Sequence, residues 1–185
     1  QITDSICDGD QYNFNGNLLA TVGVYNDTLI ASSGQDSVVI LTLLVNSLPS
    51  VTAGPDQTIC LGNTVIISGN GATSYSWDNG VSDGVAFTPL STAVYTVTGT
   101  DGNGCVNSDQ VEVTVNILPT VNAGTDVSVC IGDSSVLNGS GAVSYSWDNG
   151  ITDGVYFSPL FTNTYTVTGT DGNGCENSDQ VDVNV

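Results

Sequence analysis

The side chains best suited to chemistry in this sequence are its five cysteines, at positions 7, 60, 105, 130 and 175. Cys130 and Cys175 follow Cys60 and Cys105 at one constant offset of 70 positions. Cysteines at matched places in a repeat are typical of structural disulfide bonds formed in an oxidising, extracellular compartment. The spacing therefore predicts four bonded cysteines; the alternative is four free, buried thiols.

His and Lys, the usual bases near neutral pH apart from a perturbed carboxylate, are both absent from the chain. General base catalysis and nucleophilic triads depend on such a base, so we expect no enzymatic activity. The 19 Asp and Glu residues give a formal net charge of −19. This charge excludes nucleic acid and anionic membrane surfaces as partners, since nothing neutralises phosphate. We expect the acids to maintain solubility and to keep neighbouring modules apart.

Two acidic turns are the candidates for a cofactor site. Asp78, Asn79 and Asp83 in one turn offer oxygen atoms of the kind that Ca²⁺ binds, as do Asp101 and Asn103 in another. Neither turn has the spacing of the twelve-residue calcium loop, and hairpin turns favour the same residue types. We therefore predict no metal site and no cofactor, with Ca²⁺ as the alternative.

Short β-strands are the elements that must position these residues. Residues 74–80 read Ser-Tyr-Ser-Trp-Asp-Asn-Gly and recur unchanged at 144–150. Aromatic residues alternate with serine in this stretch, which places both aromatics on one face of a strand that ends in a turn. A second alternating stretch pairs tyrosine and valine with threonine. The predicted core anchors are Trp77, Trp147, Tyr95 and Tyr165.

The repeat defines the domain organisation. Residues 48–115 align with 118–185 without a gap, and 43 of the 68 positions are identical. Each copy carries six or seven strand-sized runs separated by turn residues, the pattern of an immunoglobulin-like sandwich. We predict an all-β fold of tandem immunoglobulin-like antiparallel β-sandwich modules in a rod. The predicted modules are 1–46, truncated at its N-terminus, then 47–116 and 117–185.

The cysteine positions within each repeat suggest a pairing. One cysteine follows the first strand, and the other closes a turn between the last two strands. We therefore predict the bonds Cys60–Cys105 and Cys130–Cys175, each clamping one end of its own sandwich. Closing such a loop of about 45 residues contributes roughly 4 kcal/mol. Cys7 has no partner in its own module and is predicted to be unpaired: a buried thiol, a partner for sequence upstream, or an intermolecular link.

Residues 38–45 of the first module form a predicted strand with apolar side chains on both faces. An exposed strand face normally carries polar residues. We therefore expect Ile40 and Leu44 to be covered, either by their own module or by a partner chain or neighbouring module.

The two repeats differ most informatively where the third module gains aromatic residues. Ala86 and Ser91 of the second module become Tyr156 and Phe161. Exposed aromatic residues often mark interfaces. We predict a contact surface at these two positions; the alternative is local repacking.

Four stretches of the second module form a distinctive set: 53–62 (Ala-Gly-Pro-Asp-Gln-Thr-Ile-Cys-Leu-Gly), 74–80, 87–90 (Phe-Thr-Pro-Leu) and 95–105 (Tyr-Thr-Val-Thr-Gly-Thr-Asp-Gly-Asn-Gly-Cys). The third module repeats them. They resemble the repeats of giant cell-surface adhesins that Bacteroidota export through the type IX secretion system, such as the SprB-like gliding adhesins, and also PKD-type immunoglobulin-like domains. Residues 1–46 resemble a companion repeat of those proteins.

This resemblance implies a structural role: a rigid extracellular spacer in an adhesin, stalk or filament on the surface of a Gram-negative bacterium. Its implied partners are neighbouring modules of the same long chain or identical chains in a filament. The resemblance also implies O-glycosylation where Asp-Ser or Asp-Thr precedes an apolar residue, as at Ser5, Thr28 and Ser37. Gln35 stands where the companion repeat usually has cysteine, which would leave Cys7 unpaired.

Two other functions compete with the spacer. In a carbohydrate-binding or accessory module of a secreted hydrolase, Trp77 and Trp147 would need exposed rings to stack on sugar. In a self-assembling filament subunit, the doubly apolar strand at 38–45 would join the copies.

Overall fold

The computed structural model describes residues 1–30, 34 and 36–185, and every regular element in these ranges is a β-strand. Gln35, where the companion repeat usually has cysteine, lies outside the described residues. The first strands are β1 (Ile2–Cys7), β2 (Tyr12–Phe14), β3 (Asn17–Leu19), β4 (Gly23–Leu29) and β5 (Ser37–Asn46). The first sheet has the order β1-β5-β4, and a separate hairpin pairs β2 with β3.

Two further sheets of four strands follow the repeat in the sequence. The first of them contains β6 (Gln57–Cys60), β7 (Ser74–Trp77), β8 (Ala93–Thr100) and β9 (Val106–Asn116). The other contains β10 (Val127–Ser128), β11 (Ser144–Trp147), β12 (Asn163–Thr170) and β13 (Glu176–Asn184). The strand orders are β6-β9-β8-β7 and β10-β13-β12-β11.

A second, irregular layer completes each repeat. In the second repeat it is held by single bridges between Thr52 and Asn70 and between Val65 and Phe87, and the third repeat has the equivalent two bridges. Val65 and Phe157 belong to these layers and pack toward the sheets, so each repeat is a two-layer sandwich. The predicted fold class, all-β with tandem immunoglobulin-like sandwiches, is confirmed.

The sheets depart from a wholly antiparallel arrangement at one edge. β1 pairs with β5 in parallel, and β10 pairs with β13 in parallel, whereas β11–β12 and β12–β13 are antiparallel. The first strand of a repeat therefore runs in the same direction as the last strand beside it. This pairing decides where the cysteines lie.

The core of the third repeat is built on the alternation seen in the sequence. Trp147, Tyr165, Val167, Val181 and Val183 are buried in one cluster. The ring of Tyr165 meets Phe157 edge-on, with centroids 5.3 Å apart. In the second repeat the structure likewise buries Trp77 and Tyr95. All four predicted anchors thus lie in the interior of the sandwiches.

Local backbone requirements explain the turn that follows each tryptophan. Asn79 and Asn149 have positive φ angles of 52° and 53°, a conformation that asparagine tolerates better than most residues. The sequence Asp-Asn-Gly therefore ends the strand at a defined place.

Gly69 lies outside this turn and is needed for a steric reason, because a Cβ atom there would lie 2.4 Å from the ring of Tyr75.

The strand β5 does not have the predicted cover. Leu41 and Leu43 are completely buried with Phe14 on one face. On the other face Ile40 is 37% and Leu44 is 47% exposed. In the described residues their own module leaves both side chains partly exposed, so it does not supply the full cover expected of it. Cover by a partner chain or a neighbouring module stays a prediction.

The chain is divided into two compact units. The first comprises Gln1–Gln57, Val65–Phe87 and Ala93–Val113, and the second comprises Thr58–Thr64, Thr88–Thr92 and Thr114–Val185. The module boundaries at 46/47 and 116/117 stay a prediction, and "module" below refers to those predicted ranges.

Candidate functional site

The disulfide bonds differ from the predicted ones. Cys7 is bonded to Cys105 and Cys60 is bonded to Cys175, with Cα atoms 5.5 Å apart in both pairs. The predicted bonds Cys60–Cys105 and Cys130–Cys175 are therefore wrong, and so is the prediction of an unpaired Cys7. Among the cysteines of the described chain, Cys130 is the free one, and it is exposed.

The parallel edge strands explain why a repeat does not bond its own two cysteines. The amide of Val129 donates to the carbonyl oxygen of Asn184 at 2.9 Å, which places Cys130 beside the final residues of β13. Cys175 immediately precedes the first residue of β13. A strand of this length spans about 30 Å at about 3.3 Å per residue, far beyond the roughly 7 Å limit between the Cα atoms of a bonded pair. Cys60 and Cys105 hold the same sequence places in the second repeat.

Three of the cysteines belong to one kind of turn, which we call the edge loops: residues 7–10, 60–63 and 130–133. Each reads Cys-x-Gly-Asx and follows the first strand of its sheet. In each loop the amide of the fourth residue donates to the cysteine carbonyl oxygen at 3.0 Å. The glycine φ angles are 92°, 93° and 93°. The three edge loops therefore share one backbone geometry.

The other two cysteines end a second kind of turn, which we call the tip loops: residues 101–105 and 171–175, both Asp-Gly-Asn-Gly-Cys. The Oδ1 atom of Asp101 accepts the amides of Asn103 at 2.8 Å and Cys105 at 2.9 Å. The carboxylate of Asp171 does the same in the second tip loop. Both tip-loop cysteines are completely buried. The aspartate thus fixes the turn that presents the sulfur.

Each disulfide joins the edge loop of one module to the tip loop of the next. Cys7 and Cys105 both lie in the first compact unit, and Cys60 and Cys175 both lie in the second. A cavity of about 390 Å³ beside the first bond is lined by Cys7, Asp8, Asp10, Leu48, Gly104 and Val106. The corresponding cavity of about 280 Å³ is lined by Cys60, Leu61, Asn63, Leu118, Gly174 and Glu176. The two junctions therefore use the same positions of the repeat.

Many of the acids serve as acceptors for backbone and indole donors. Asp83 accepts the indole Nε1–H of Trp77 at 2.8 Å and the amide of Gly69 at 2.7 Å through one oxygen. Asp153 repeats both bonds with Trp147 in the third module. Bonds to a charged acceptor are stronger than neutral ones. These carboxylates therefore hold the tryptophans in addition to supplying charge.

One aspartate in each of the strands β9 and β13 has a lowered pKa. Asp109 Oδ2 accepts the amide of Ala53 at 2.8 Å, and Asp179 accepts that of Ala123 at the same distance. The bond from Ala53, and a second from the amide of Gln110, lower the pKa of Asp109 below its ordinary value because they favour the ionised form. The pKa of Asp179 is lowered in the same way.

The candidate calcium ligands Asp78, Asp83 and Asp101 already accept such bonds. Asp78 accepts the amide of Thr96 at 3.0 Å, and Asp83 and Asp101 bind the donors named above. Within residues 1–30, 34 and 36–185, no three His, Cys, Asp or Glu side chains cluster as metal ligands would. The absence of a metal site stays a prediction with Ca²⁺ binding as its alternative, tested by comparing melting temperatures in chelator and in calcium.

The remaining predicted site residues lie on the surface. Tyr156 is 74% and Phe161 is 77% exposed, so local repacking does not explain these aromatic side chains. Ser5, Thr28 and Ser37 are also exposed, on β1, β4 and β5. The contact surface and the O-glycosylation both stay predictions.

Sequence reasoning missed the partners of the four bonded cysteines. The signal was present: the edge-loop pattern Cys-x-Gly-Asx occurs at 7–10 as well as at 60–63 and 130–133, whereas the tip-loop pattern occurs only at 101–105 and 171–175. Cys7 is therefore the same kind of cysteine as Cys60. When each edge-loop cysteine pairs with the tip-loop cysteine of the following module, Cys7 is bonded and Cys130 has no partner within the described chain.

Comparison with known proteins finds no matching protein family and no matching curated protein. Solved structures of similar arrangement include three immunoglobulin domains of titin, 9% identical, covering 99% of this chain and 95% of that chain, TM-score 0.46. The insect immune protein hemolin is 16% identical, with 88% of this chain and 56% of that chain covered and a TM-score of 0.40. This chain thus spans little more than half of hemolin. At these scores the similarity says nothing about binding or activity.

The described residues include no helix that is long and apolar enough to cross a membrane.

Proposed function

We propose that this chain is a load-bearing structural segment of an extracellular protein, in which consecutive sandwich modules are locked together covalently. The observation that carries the proposal is that Cys7–Cys105 and Cys60–Cys175 each connect one sheet to the next. A bond within one sandwich stabilises that sandwich alone. A bond between successive modules also limits how far the two can separate under tension.

The two bonds overlap in sequence, and the overlap shortens the covalent path along the chain. From residue 1 the path runs to Cys7, crosses to Cys105, returns to Cys60 and crosses to Cys175. Only about 60 residues then carry the load, which at about 3.5 Å per residue corresponds to roughly 21 nm of fully extended chain. The reduced chain of 185 residues extends to roughly 65 nm. The overlap therefore limits how far the chain can be extended under tension.

Single-molecule stretching between the two termini tests this proposal. We expect the oxidised chain to reach its limit near roughly 21 nm and to lengthen about threefold after reduction. Bonds within each repeat would instead stop extension near roughly 33 nm, because residues 1–60, 105–130 and 175–185 would carry the load. Extension of the oxidised chain to roughly 33 nm or 65 nm would overturn the proposal.

The cellular setting forms the finer part of the proposal. Disulfide bonds persist in oxidising compartments, and the resemblance of the repeats points to a secreted adhesin, stalk or filament of a Bacteroidota cell surface. The exposed Ser5, Thr28 and Ser37 would carry the O-glycans. Peptide masses from native material test this setting. Unmodified masses at all three positions would overturn the proposed O-glycosylation.

Exposed apolar side chains favour the self-assembling filament as the second candidate. Ile40, Leu44, Tyr156 and Phe161 all lie on the surface. The carbohydrate-binding module lacks comparable support, because Trp77 and Trp147 are only 8% and 7% exposed and both indoles are hydrogen-bonded. Tryptophan emission separates these functions: buried indoles emit at short wavelength and resist quenching, whereas sugar-stacking indoles emit at long wavelength.

A further inference from the structure

The third edge loop, residues 130–133, has the geometry of the bonded edge loops but no partner within the described chain. The amide of Asp133 donates to the carbonyl oxygen of Cys130 at 3.0 Å, and Gly132 has a φ angle of 93°. The same values occur in loop 60–63, whose cysteine is bonded. The loop at Cys130 therefore holds its bonding shape without a bond.

The surroundings of this loop show what is missing. Leu61 in the second edge loop is 36% exposed, whereas Ile131 at the equivalent position is 76% exposed. The cavities beside the two disulfides are lined jointly by an edge loop and a tip loop. At Cys130 the shallow cavity of about 510 Å³ is lined from one side alone, by Ser128, Val129, Cys130, Asp133 and Ser134. No tip loop of the described chain lines this cavity.

We propose that the edge loop 130–133 is a docking and disulfide site for the tip loop of a further module of the same kind. The module would carry the sequence Asp-Gly-Asn-Gly-Cys and stand to the third module as the third stands to the second. The proposal does not rest on the free Cys130 alone, because Cys7 and Cys60, in the two equivalent loops, are both bonded to tip-loop cysteines. This inference rests on the proposed function and extends it to the next junction.

A second copy of the present chain does not fit this site. Its tip-loop cysteines, Cys105 and Cys175, are completely buried and already bonded. A Cys130–Cys130 link would join two edge loops and leave both half-junctions uncovered. The occupant is therefore a module whose tip loop is still open.

Bond formation needs an oxidant, and a small disulfide such as oxidised glutathione supplies it. The tip cysteine first forms a mixed disulfide, releasing one glutathione thiol. The Cys130 thiolate then attacks the cysteine sulfur of that mixed disulfide, and the second glutathione leaves as its thiolate. Overall, two protein thiols lose two electrons and two protons, and one oxidised glutathione becomes two reduced molecules.

The test extends the chain by one module, repeating residues 46–115 after Val185 so that the offset of 70 is kept. The extended chain is refolded with oxidised and reduced glutathione, alkylated without reduction and digested before aspartate. We expect peptide 126–132 to be linked to the added copy of peptide 101–108, since native Cys105 is bonded to Cys7. One thiol should then be alkylated, at the added copy of Cys60. In the matched control, the added copy of Cys105 is replaced by serine, and Cys130 should be fully alkylated.

Each result decides the inference. In one outcome peptide 4–7 is linked to 101–108 and peptide 56–77 is linked to 171–178, while Cys130 is alkylated or bonded to another Cys130. The inference is then wrong and the proposed function stands. If those two links are missing as well, both are wrong. Should the added module fail to fold, native source protein is alkylated without reduction. There, a modified Cys130 overturns the inference, and a bond from Cys130 to a tip-loop peptide supports it.

Discussion

Cys60 and Cys175 are bonded across 115 positions of sequence, so the end of β6 is tied to the residue that precedes β13. The bond closes a loop that contains most of the second module and much of the third. Cys7 and Cys105 close a loop of similar length, 98 positions. Stability, extension and the state of Cys130 all follow from these two overlapping loops.

Removing the second bond should destabilise the protein strongly. In the double variant Cys60→Ser, Cys175→Ser, the unfolded chain regains the freedom of a long loop, which corresponds to a loss of about 3 to 5 kcal/mol. The double replacement leaves no free Cys175 to form a new bond. Urea unfolding followed by Trp147 emission in a Trp77→Phe background measures the change.

Cys130→Ser is the matched control for that experiment. Because Cys130 is exposed and unbonded, its replacement should change the free energy of unfolding by less than about 0.5 kcal/mol. A large loss from Cys130→Ser, equal to that of the double variant, would indicate a Cys130–Cys175 bond and contradict the structure.

Asp83→Ala should weaken the second module by removing the acceptor of two donors. The Trp77 indole and the Gly69 amide lose their partner, and a part-buried bond to a charged group contributes about 1.5 to 3 kcal/mol. Asp153→Ala should have the same effect on the third module. Asp36→Ala, which removes an exposed acid, is the control for net charge, and an equal loss there would refute the role assigned to Asp83.

The lowered pKa values of Asp109 and Asp179 predict a specific pH dependence. The native carboxylates protonate below the ordinary value of 3.8, so they stabilise the fold fully above that pH and stop doing so as pH falls through the lowered pKa. The double variant Asp109→Asn, Asp179→Asn should therefore have a lower urea midpoint than the parent at pH 7. The difference should shrink below pH 3.8.

Glu112→Gln serves as the control for that pH series. Every loss of charge relieves repulsion in a chain with net charge −19, and this control measures that general effect on β9. If the difference in urea midpoint between the double variant and the parent stays constant from pH 7 to below pH 3.8, the stabilising role assigned to the two aspartates is wrong.

The exposed aromatic pair of the third module should promote association. The variant Tyr156→Ala, Phe161→Ser gives this module the residues that the second carries at the equivalent positions. Sedimentation equilibrium should show weaker self-association of the variant, since large apolar surface is removed. The reverse exchange, Ala86→Tyr with Ser91→Phe, should strengthen it; no change in either variant would count against a contact surface.

Local alternation in the sequence predicted much of the fold. Tyr95 and Val97 point inward with threonine between them, and the structure buries both in β8. Trp77 was predictable for the same reason, since an aromatic residue between serines on a short strand has one apolar face to fill. Such features depend on neighbours within a few residues of the same strand.

The disulfide pairing was not predictable in that way. It depends on the parallel pairing of the first and last strands of a sheet, which joins residues such as Val127 and Val183. Alternation does not reveal strand direction, and the wrong direction places Cys130 beside Cys175. The exposed face of β5 at Ile40 and Leu44 was missed because a buried strand and an unpartnered one have the same apolar pattern.

The most direct test of the covalent locking is a map of the disulfides in the oxidised chain. Trypsin has no site, but cleavage before aspartate places each of the five cysteines in its own peptide. We expect peptide 4–7 linked to 101–108, peptide 56–77 linked to 171–178, and peptide 126–132 alkylated without reduction. Links between 56–77 and 101–108 and between 126–132 and 171–178 would contradict the account.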